Sequence, residues 1–180
     1  MIIKSLSEET ARDWFDFFDE RAFTDNPDWK GCYCTHPFIP RFEQYPSKNR
    51  ARKPYAKWLI ESGRMRGYLA YEQETVVGWC NVNKKSALPR YNKSGEDNDK
   101  ILSIVCFLIQ KEYRRQGIAG NLLDRVIRDA RLNGFHIIEA YPRLGSKSEY
   151  NNYHGPGILF EKNGFVFEEI NGKSVARLYL

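Results

Sequence analysis

A short basic turn separates the main apolar run of the chain from its clearest amphipathic segment. The run Ile101–Ile109 is dominated by apolar side chains, which indicates a strand buried on both faces. In Ile118–Leu132 the apolar residues recur at helical spacing, which predicts a helix with one apolar face. The turn between them contains Gly117, and glycine lets a backbone approach a ligand closely. Because a helix start presents unpaired N–H groups and the positive end of its dipole, this turn is a candidate phosphate site.

The remaining patterns predict a mixed α/β chain. Besides the run above, strands are predicted at residues 1–6, 66–71, 75–81, 136–141, 165–168 and 175–180. Further helices are predicted at residues 7–21, 47–62 and 157–162, and a polar surface loop at 84–99. Since no repeat or linker divides the chain, we expect one domain, residues 1–180. Residues 23–47 form an aromatic and Pro-rich insertion in it, which we expect to fold back over the domain.

Composition narrows the class of protein and its compartment. The chain has 28 Lys and Arg against 23 Asp and Glu, without a run of like charges, which disfavours a nucleic-acid partner. No stretch approaches the roughly 20 apolar residues of a membrane helix, and charged residues interrupt the N-terminus, so we expect neither a membrane span nor a secretory signal. A reduced, cytoplasmic protein is therefore expected.

The cysteines invite a metal site that their spacing does not support. Cys32 and Cys34 are followed by His36, but this is not the spacing of a common zinc knuckle, and no second ligand pair follows. We therefore expect no metal. Cys106 lies inside the predicted central strand and is expected to be buried and inert, which disfavours a covalent cysteine intermediate.

Two motifs stand in order in the C-terminal half. Residues 114–119 read Arg-Arg-Gln-Gly-Ile-Ala and fit the pattern Gln/Arg-x-x-Gly-x-Gly/Ala at the start of a helix. Residues 159–165 read Leu-Phe-Glu-Lys-Asn-Gly-Phe and are close to Leu-Tyr-Glu-Lys-x-Gly-Phe in a short helix. With these motifs the chain resembles the GNAT superfamily of N-acetyltransferases. Neither a P-loop nor a dinucleotide-binding glycine motif is present as a rival.

The resemblance implies a fold and a reaction. The fold would be mixed α/β (α+β), with a splayed central sheet of about six to seven strands and helices on both faces. The reaction would move an acetyl group from acetyl-CoA to a primary amine of a small molecule or peptide, by direct attack in a ternary complex. The residues that would bind acetyl-CoA are Phe107, Leu108, Ile109, Arg114, Arg115, Gln116, Gly117, Ile118, Ala119 and Gly120.

A candidate base follows from the protonation state of the acceptor. A Lys-like amine has a pKa of about 10.4 and must lose a proton before it attacks. Glu139 is the candidate, because a carboxylate within an apolar strand needs either a role or a partner. The second interpretation is a Glu139 that is merely hydrogen-bonded, and His154 is the alternative base.

The general acid departs from the family pattern. Many relatives have a tyrosine, thought to protonate the departing thiolate, where this chain has Phe160. Tyr153 is the candidate replacement, with Tyr150 as the other nearby hydroxyl. Alternatively the thiolate leaves unaided, because a thiol with a pKa near 8.5 is already a tolerable leaving group.

The aromatic insertion is the candidate acceptor wall. The residues assigned to that wall are Trp29, Cys32, Tyr33, Cys34 and His36. Aromatic clusters also serve packing, so a segment that simply covers the sheet is an equal interpretation.

Three further hypotheses concern the whole chain. The loss of the tyrosine at Phe160 leaves open a non-catalytic module that binds acetyl-CoA or CoA as a sensor or interaction protein. A nucleic-acid binder is suggested only by the excess of Lys and Arg over Asp and Glu. The C-terminal strand pair is a candidate for association with a second copy, as a homodimer.

Overall fold

The chain forms a seven-stranded mixed sheet with helices packed on it. The computed structural model describes residues 1–40, 43, 52–92, 98–143 and 153–180. The strands are β1 (Ile2–Ser5), β2 (Gly67–Glu72), β3 (Thr75–Lys84), β4 (Ile101–Ile109), β5 (Ile137–Ala140), β6 (Val166–Ile170) and β7 (Lys173–Tyr179). The helices are α1 (Ala11–Asp16), α2 (Arg52–Glu61), α3 (Ile118–Leu132) and α4 (Gly157–Glu161). The predicted fold class is confirmed.

The order of the strands places one parallel pair at the centre of the sheet. The order is β1-β2-β3-β4-β5-β7-β6, and every described pairing except β4–β5 is antiparallel. A parallel pair needs a crossover connection, which α3 supplies between β4 and β5. The start of α3 therefore lies directly after the end of β4.

Two apolar clusters lie on opposite faces of the sheet. On one face the helices α1 and α2 bury residues such as Trp14, Phe17 and Leu59. On the other face α3 buries Leu122 and Leu123, which are 0% exposed, together with Phe160 of α4. The helical spacing of α3 is thus explained by a single buried stripe.

The first helix begins later than its sequence pattern predicts. The Ser7 N–H donates to the Thr10 hydroxyl, which in turn lies 3.1 Å from the Ser5 carbonyl. These bonds close a turn over residues 7–10, so α1 begins at Ala11. Beyond Asp16 the helix continues with π-type geometry as Phe17–Arg21.

The surface loop predicted over residues 84–99 needs a partial correction, because Ser86, Ala87 and Pro89 are exposed whereas three other described residues are buried. Lys85, Leu88 and Asn98 are 5%, 0% and 2% exposed. The reason is that β3 runs on to Lys84, opposite Leu102, and the 3-10 turn Lys85–Ala87 after it directs Lys85 toward Glu139. Residues 93–97 lie outside the described residues.

The aromatic insertion is described for residues 23–40 and Glu43. It contains two short 3-10 turns, Pro27–Trp29 and His36–Phe38, and packs on the α1 side of the sheet. The first residues of the helix predicted at 47–62, and Tyr150, lie outside the described residues. No helix in the described ranges is long and apolar enough to cross a membrane.

Candidate functional site

The parallel pairing at the centre of the sheet ends halfway along β4. β5 pairs with β4 from Ile101 to Ile104 and stops at Ala140, whereas β4 continues to Ile109. Over residues 105–109 β4 keeps β3 on one side, and no described strand pairs with its other edge. This open edge presents backbone N–H and C=O groups to a ligand in the gap, except that the Ile109 carbonyl already accepts a hydrogen bond from Arg114.

An irregularity in β4 lies at the start of the open edge. The register with β3 shifts so that Asn81 faces Cys106 and Val82 faces Ile104, which leaves Val105 as the extra residue of a bulge. Val105 and Cys106 consequently both pack into the cluster on the α1 side. Phe107 returns to the α3 side.

The turn after β4 exposes the N-terminus of α3. Gly117 has φ +81° and precedes the first helical residue, and the Asn121 N–H donates to its carbonyl. The N–H groups of the three helical residues before Asn121 therefore have no acceptor within the helix. A Cβ added at Gly117 or Gly120 would meet no atom within 4 Å. Open space, free donors and a positive dipole end together make this turn suited to an anion.

Arg114 points away from that turn. Its Nη1 and Nη2 lie 2.5 and 3.1 Å from the two carboxylate oxygens of Asp25, and its Nε donates to the Ile109 carbonyl at 3.1 Å. Burial alone would raise the pKa of Asp25, but the hydrogen bond and charge of Arg114 hold it below its ordinary value. These contacts disfavour Arg114 as a phosphate ligand. Arg115 and Gln116 lie exposed beside the helix start.

A small cavity of about 110 Å³ lies between the open edge and the aromatic insertion. Its walls are formed by Ala22, Phe23, Asp25, Asn26, Trp29, Phe107, Leu108, Ile109, Arg114 and Tyr153. The cavity thus brings together the predicted strand residues of the acetyl-CoA site, one predicted acceptor residue and the predicted acid.

Tyr153 is held at this cavity by aromatic and cationic neighbours. Its ring lies 5.4 Å from that of Trp29, and Arg143 places Nη2 3.5 Å from its hydroxyl. Burial raises the pKa of Tyr153, although Arg143 acts against this rise. The hydroxyl therefore keeps its proton at neutral pH, as a general acid must.

Glu139 lies in a closed network of partners. Arg177 Nε donates to Oε1 at 2.8 Å, Lys85 Nζ lies 3.1 Å from Oε2, and the Tyr141 hydroxyl donates to Oε2 at 2.8 Å. The carboxylate is 1% exposed. This arrangement favours the interpretation of Glu139 as a structural, hydrogen-bonded residue, because a base needs a free lone pair that faces the substrate.

The alternative base, His154, is poorly suited to proton transfer, and Phe160 offers no hydroxyl. Burial and the nearby Arg143 lower the pKa of His154 to about 4, which makes it a weak base, and its buried Nδ1 has no hydrogen-bond partner among the described residues. Phe160 is fully buried against Phe107 and Phe165, so it packs in the core.

The predicted acceptor residues divide between cavity and core. Trp29 lines the cavity. Tyr33 is buried, and its hydroxyl donates to Asp19 at 2.5 Å. Cys34 is also buried, with its Sγ 3.3 Å from that of Cys106.

The two other predicted acceptor residues lie near the surface. Cys32 is partly buried and packs on the same cluster, while His36 is exposed. These positions favour the covering role for most of the segment. The described residues contain no group of three or more side chains that could hold a metal ion.

The sequence did not reveal the role of Asp25 or of the tyrosines beside Glu139. Asp25 lies in an irregular stretch and is 89 positions from its partner Arg114, so no local pattern connects them. Tyr91 and Tyr141 have ring centroids 4.5 Å apart and border the same cluster as Tyr153. The high aromatic content of 14% was the available signal.

Comparisons with known proteins show a family match. A family model described as "Acetyltransferase (GNAT) family" matches residues 4–155. No curated protein matches the chain.

Many solved structures are similar in fold at low sequence identity. The ribosomal-protein-alanine N-acetyltransferase from Brucella melitensis is 14% identical, with a TM-score of 0.61 and 100% of both chains covered. The GNAT domain of S. lividans PAT is 15% identical, with a TM-score of 0.63, over 99% of this chain and 89% of that one. The PaiA N-acetyltransferase from Thermoplasma acidophilum, in complex with coenzyme A, is 12% identical, with a TM-score of 0.59 and 100% of both chains covered.

Proposed function

The chain belongs to the GNAT acetyltransferase family, and we propose that it moves an acetyl group from acetyl-CoA to a primary amine by direct attack in a ternary complex. The acceptor is the amine of a small molecule or a peptide. The observation that carries this proposal is the open edge of β4, which leads directly into the glycine turn at the start of α3. The open edge of β4 thus offers backbone partners for the extended pantetheine arm of acetyl-CoA. The start of α3, which follows it, offers N–H donors for the phosphates.

The residues fit the parts of acetyl-CoA in order. The N–H groups at the start of α3 would bind the pyrophosphate, and the open space at Gly117 and Gly120 admits it closely. The backbone of residues 107–109 would pair with the amides of the pantetheine arm, in the manner of an added strand. The similar fold from Thermoplasma acidophilum, solved with coenzyme A, supports this fit.

Acetyl-CoA supplies an activated acetyl group, and the protein has to position it and manage protons. A backbone N–H of the open edge would polarise the thioester carbonyl. Tyr153 would donate its proton to the departing thiolate, which its place in the cavity wall supports.

The proton of the attacking amine needs a separate path. The contacts of Glu139 with Lys85 and Arg177 disfavour it as the acceptor of this proton, and the low pKa disfavours His154. We therefore assign this step to water in the cleft, which passes the proton to solvent.

A second candidate function is a non-catalytic module that binds acetyl-CoA. The observation that favours it is the buried, apolar Phe160 in place of a hydroxyl, together with a Glu139 that is already paired. Such a module would bind acetyl-CoA without turnover.

Two measurements on the intact protein test the proposal. Calorimetry with CoA is expected to give saturable binding, and incubation with acetyl-CoA and a panel of amines is expected to release CoA thiol and an acetylated product. Binding without turnover across amino acids, polyamines, aminoglycosides, arylamines and peptides would favour the module. Absence of CoA binding at millimolar concentration would contradict both functions.

A further inference from the structure

We infer that Asp25 and Arg114 form a positioning pair, which fixes the width of the acetyl-CoA slot and keeps water from the thioester. The inference rests on the proposed function and concerns the same site. Neither residue is assigned to touch the reacting atoms. Asp25 acts through Arg114, and Arg114 acts through the two walls that it joins.

One guanidinium bonds both walls of the slot. Two of its nitrogens contact Asp25 on the aromatic insertion, and the third donates to the Ile109 carbonyl at the end of the open β4 edge. Asp25, Ile109 and Arg114 all line the cavity of about 110 Å³. The planar, rigid guanidinium of Arg114 therefore sets the distance between β4 and the part of the aromatic insertion around Asp25.

The burial of the pair distinguishes it from an ordinary surface ion pair. The side chains of Asp25 and Arg114 are 8% and 28% exposed, and the contact is bidentate. Such charge-assisted pairs have defined geometry, whereas exposed pairs are loosely held. The pair therefore has the rigidity that a spacer requires.

The segment that carries Asp25 has mainly local backbone bonds. The Asn26 N–H donates to the Phe23 carbonyl, and the Trp29 N–H donates to the Asn26 carbonyl. Phe23 is anchored in the buried cluster, and residues 25–29 contact the strand side through the Asp25–Arg114 pair and through the ring of Trp29 against Tyr153. Loss of the pair would release one of these two contacts and let residues 25–29 of the insertion move away from β4.

The consequence for chemistry is exclusion of water. A slot of fixed, narrow width holds the thioester next to the acceptor and leaves little room for a competing nucleophile. If the insertion moves away, water reaches the thioester, and acetyl-CoA is hydrolysed without an amine. This hydrolysis of acetyl-CoA can be measured before any amine acceptor is known.

The test uses Asp25→Asn, Arg114→Lys and the double variant in the full chain. The readouts are release of CoA thiol from acetyl-CoA without amine, and CoA affinity by calorimetry. Each single variant is expected to raise hydrolysis by about tenfold. Because the two residues act as one unit, the double variant is expected to be no worse than either single variant. Asp25→Glu keeps the carboxylate, so its rate of acetyl-CoA hydrolysis is expected to lie between that of the wild type and that of Asp25→Asn.

Asp129→Asn is the matched control. Asp129 also pairs with an arginine, Arg125, and its pKa is also lowered, because the bonds from Arg125 and Tyr68 outweigh its burial. It lies on α3, away from the cavity. A merely structural role for Asp25 would lower the melting temperature in both variants and leave hydrolysis unchanged in both.

The outcomes separate this inference from the proposed function. CoA binding by the wild type with unchanged hydrolysis in Asp25→Asn would overturn the positioning pair alone. Additive effects in the double variant would overturn it as well. A wild type that binds no CoA would overturn both the pair and the proposed function.

Discussion

The two ends of the paired strands β4 and β5 are built in opposite ways. Where β5 still pairs with β4, the Glu139 carboxylate is buried among Arg177, Lys85 and Tyr141, with partners on both oxygens. Where β5 has stopped, β4 has an open edge, and the helix after it begins with N–H groups that lack acceptors in the helix. The difference shows that a closed polar network supports stability, whereas unmet backbone donors are available to a ligand.

The largest expected effect tests the Glu139 network, which lies where β5 pairs with β4. Glu139→Gln would leave the buried Lys85 and the partly buried Arg177 without their shared anion, and should lower the free energy of unfolding by about 3–5 kcal/mol. Urea denaturation measures this change. Glu168→Gln is the control, because Glu168 contacts the same Arg177 at a partly exposed site and should cost below about 1 kcal/mol. Equal losses, or a specific loss of turnover with unchanged stability, would contradict a structural Glu139.

The second effect concerns His154, whose buried Nδ1 has no hydrogen-bond partner among the described residues. The unfolded chain takes up this proton near the ordinary pKa of 6.5, whereas the folded chain takes it up only near 4. Stability should therefore fall as the pH drops from about 6.5 to about 4, by on the order of 3 kcal/mol. Denaturation of the wild type and His154→Asn across this range measures the difference. An identical pH dependence in both proteins would remove His154 as its source.

The third effect tests proton donation by Tyr153 at the cavity beside the open edge of β4. Tyr153→Phe keeps the ring against Trp29 but removes the acidic proton, and should lower kcat about 100-fold, or about 2.7 kcal/mol, with little change in CoA affinity. Tyr91→Phe is the control, since Tyr91 borders the same cluster but does not line the cavity. An unchanged kcat in Tyr153→Phe would mean that the thiolate leaves without an acid.

The smallest effect compares the two ends of α3. Gly117 and Gly134 have φ values of +81° and +67°, and neither has an atom within 4 Å of an added Cβ. Alanine at either position should therefore cost about 1–2 kcal/mol of stability through the backbone alone. Only Gly117→Ala should also weaken CoA binding, by roughly tenfold, because its Cβ points into the space for the phosphate. Calorimetry on both variants decides this, and equal affinities would argue against the turn as the phosphate site.

The local elements were largely predictable because their patterns are local. The run Ile101–Ile109 and the helix Ile118–Leu132 appear with the predicted bounds, since each depends on the periodicity of its own residues. The start of α1 was misplaced because the Thr10 side chain, rather than Ser7, organises the preceding turn. The loop after Lys84 was misjudged because polar composition did not reveal that Lys85 is buried beside a carboxylate.

The candidate site was predictable only in part. The glycine turn and the β4 residues beside it could be placed from their motif, and Trp29 and Tyr153 lie at the same cavity as those strand residues. The partners of Arg114 and Glu139 could not be found, because Asp25 and Arg177 are distant in sequence and follow no periodic pattern.

The sequence alone determined the family, the order of strands and helices, and the glycine turn that opens α3, because repeated spacing and short motifs encode these directly. Only the tertiary structure decided which charged side chains pair with one another inside the protein. It also decided which backbone N–H groups remain available to a ligand. That division depends on contacts between residues far apart in the chain, such as Asp25 with Arg114, and on the point at which β5 stops beside β4. Long-range pairing and strand ends are set by packing of the whole sheet, and a one-dimensional pattern does not contain them.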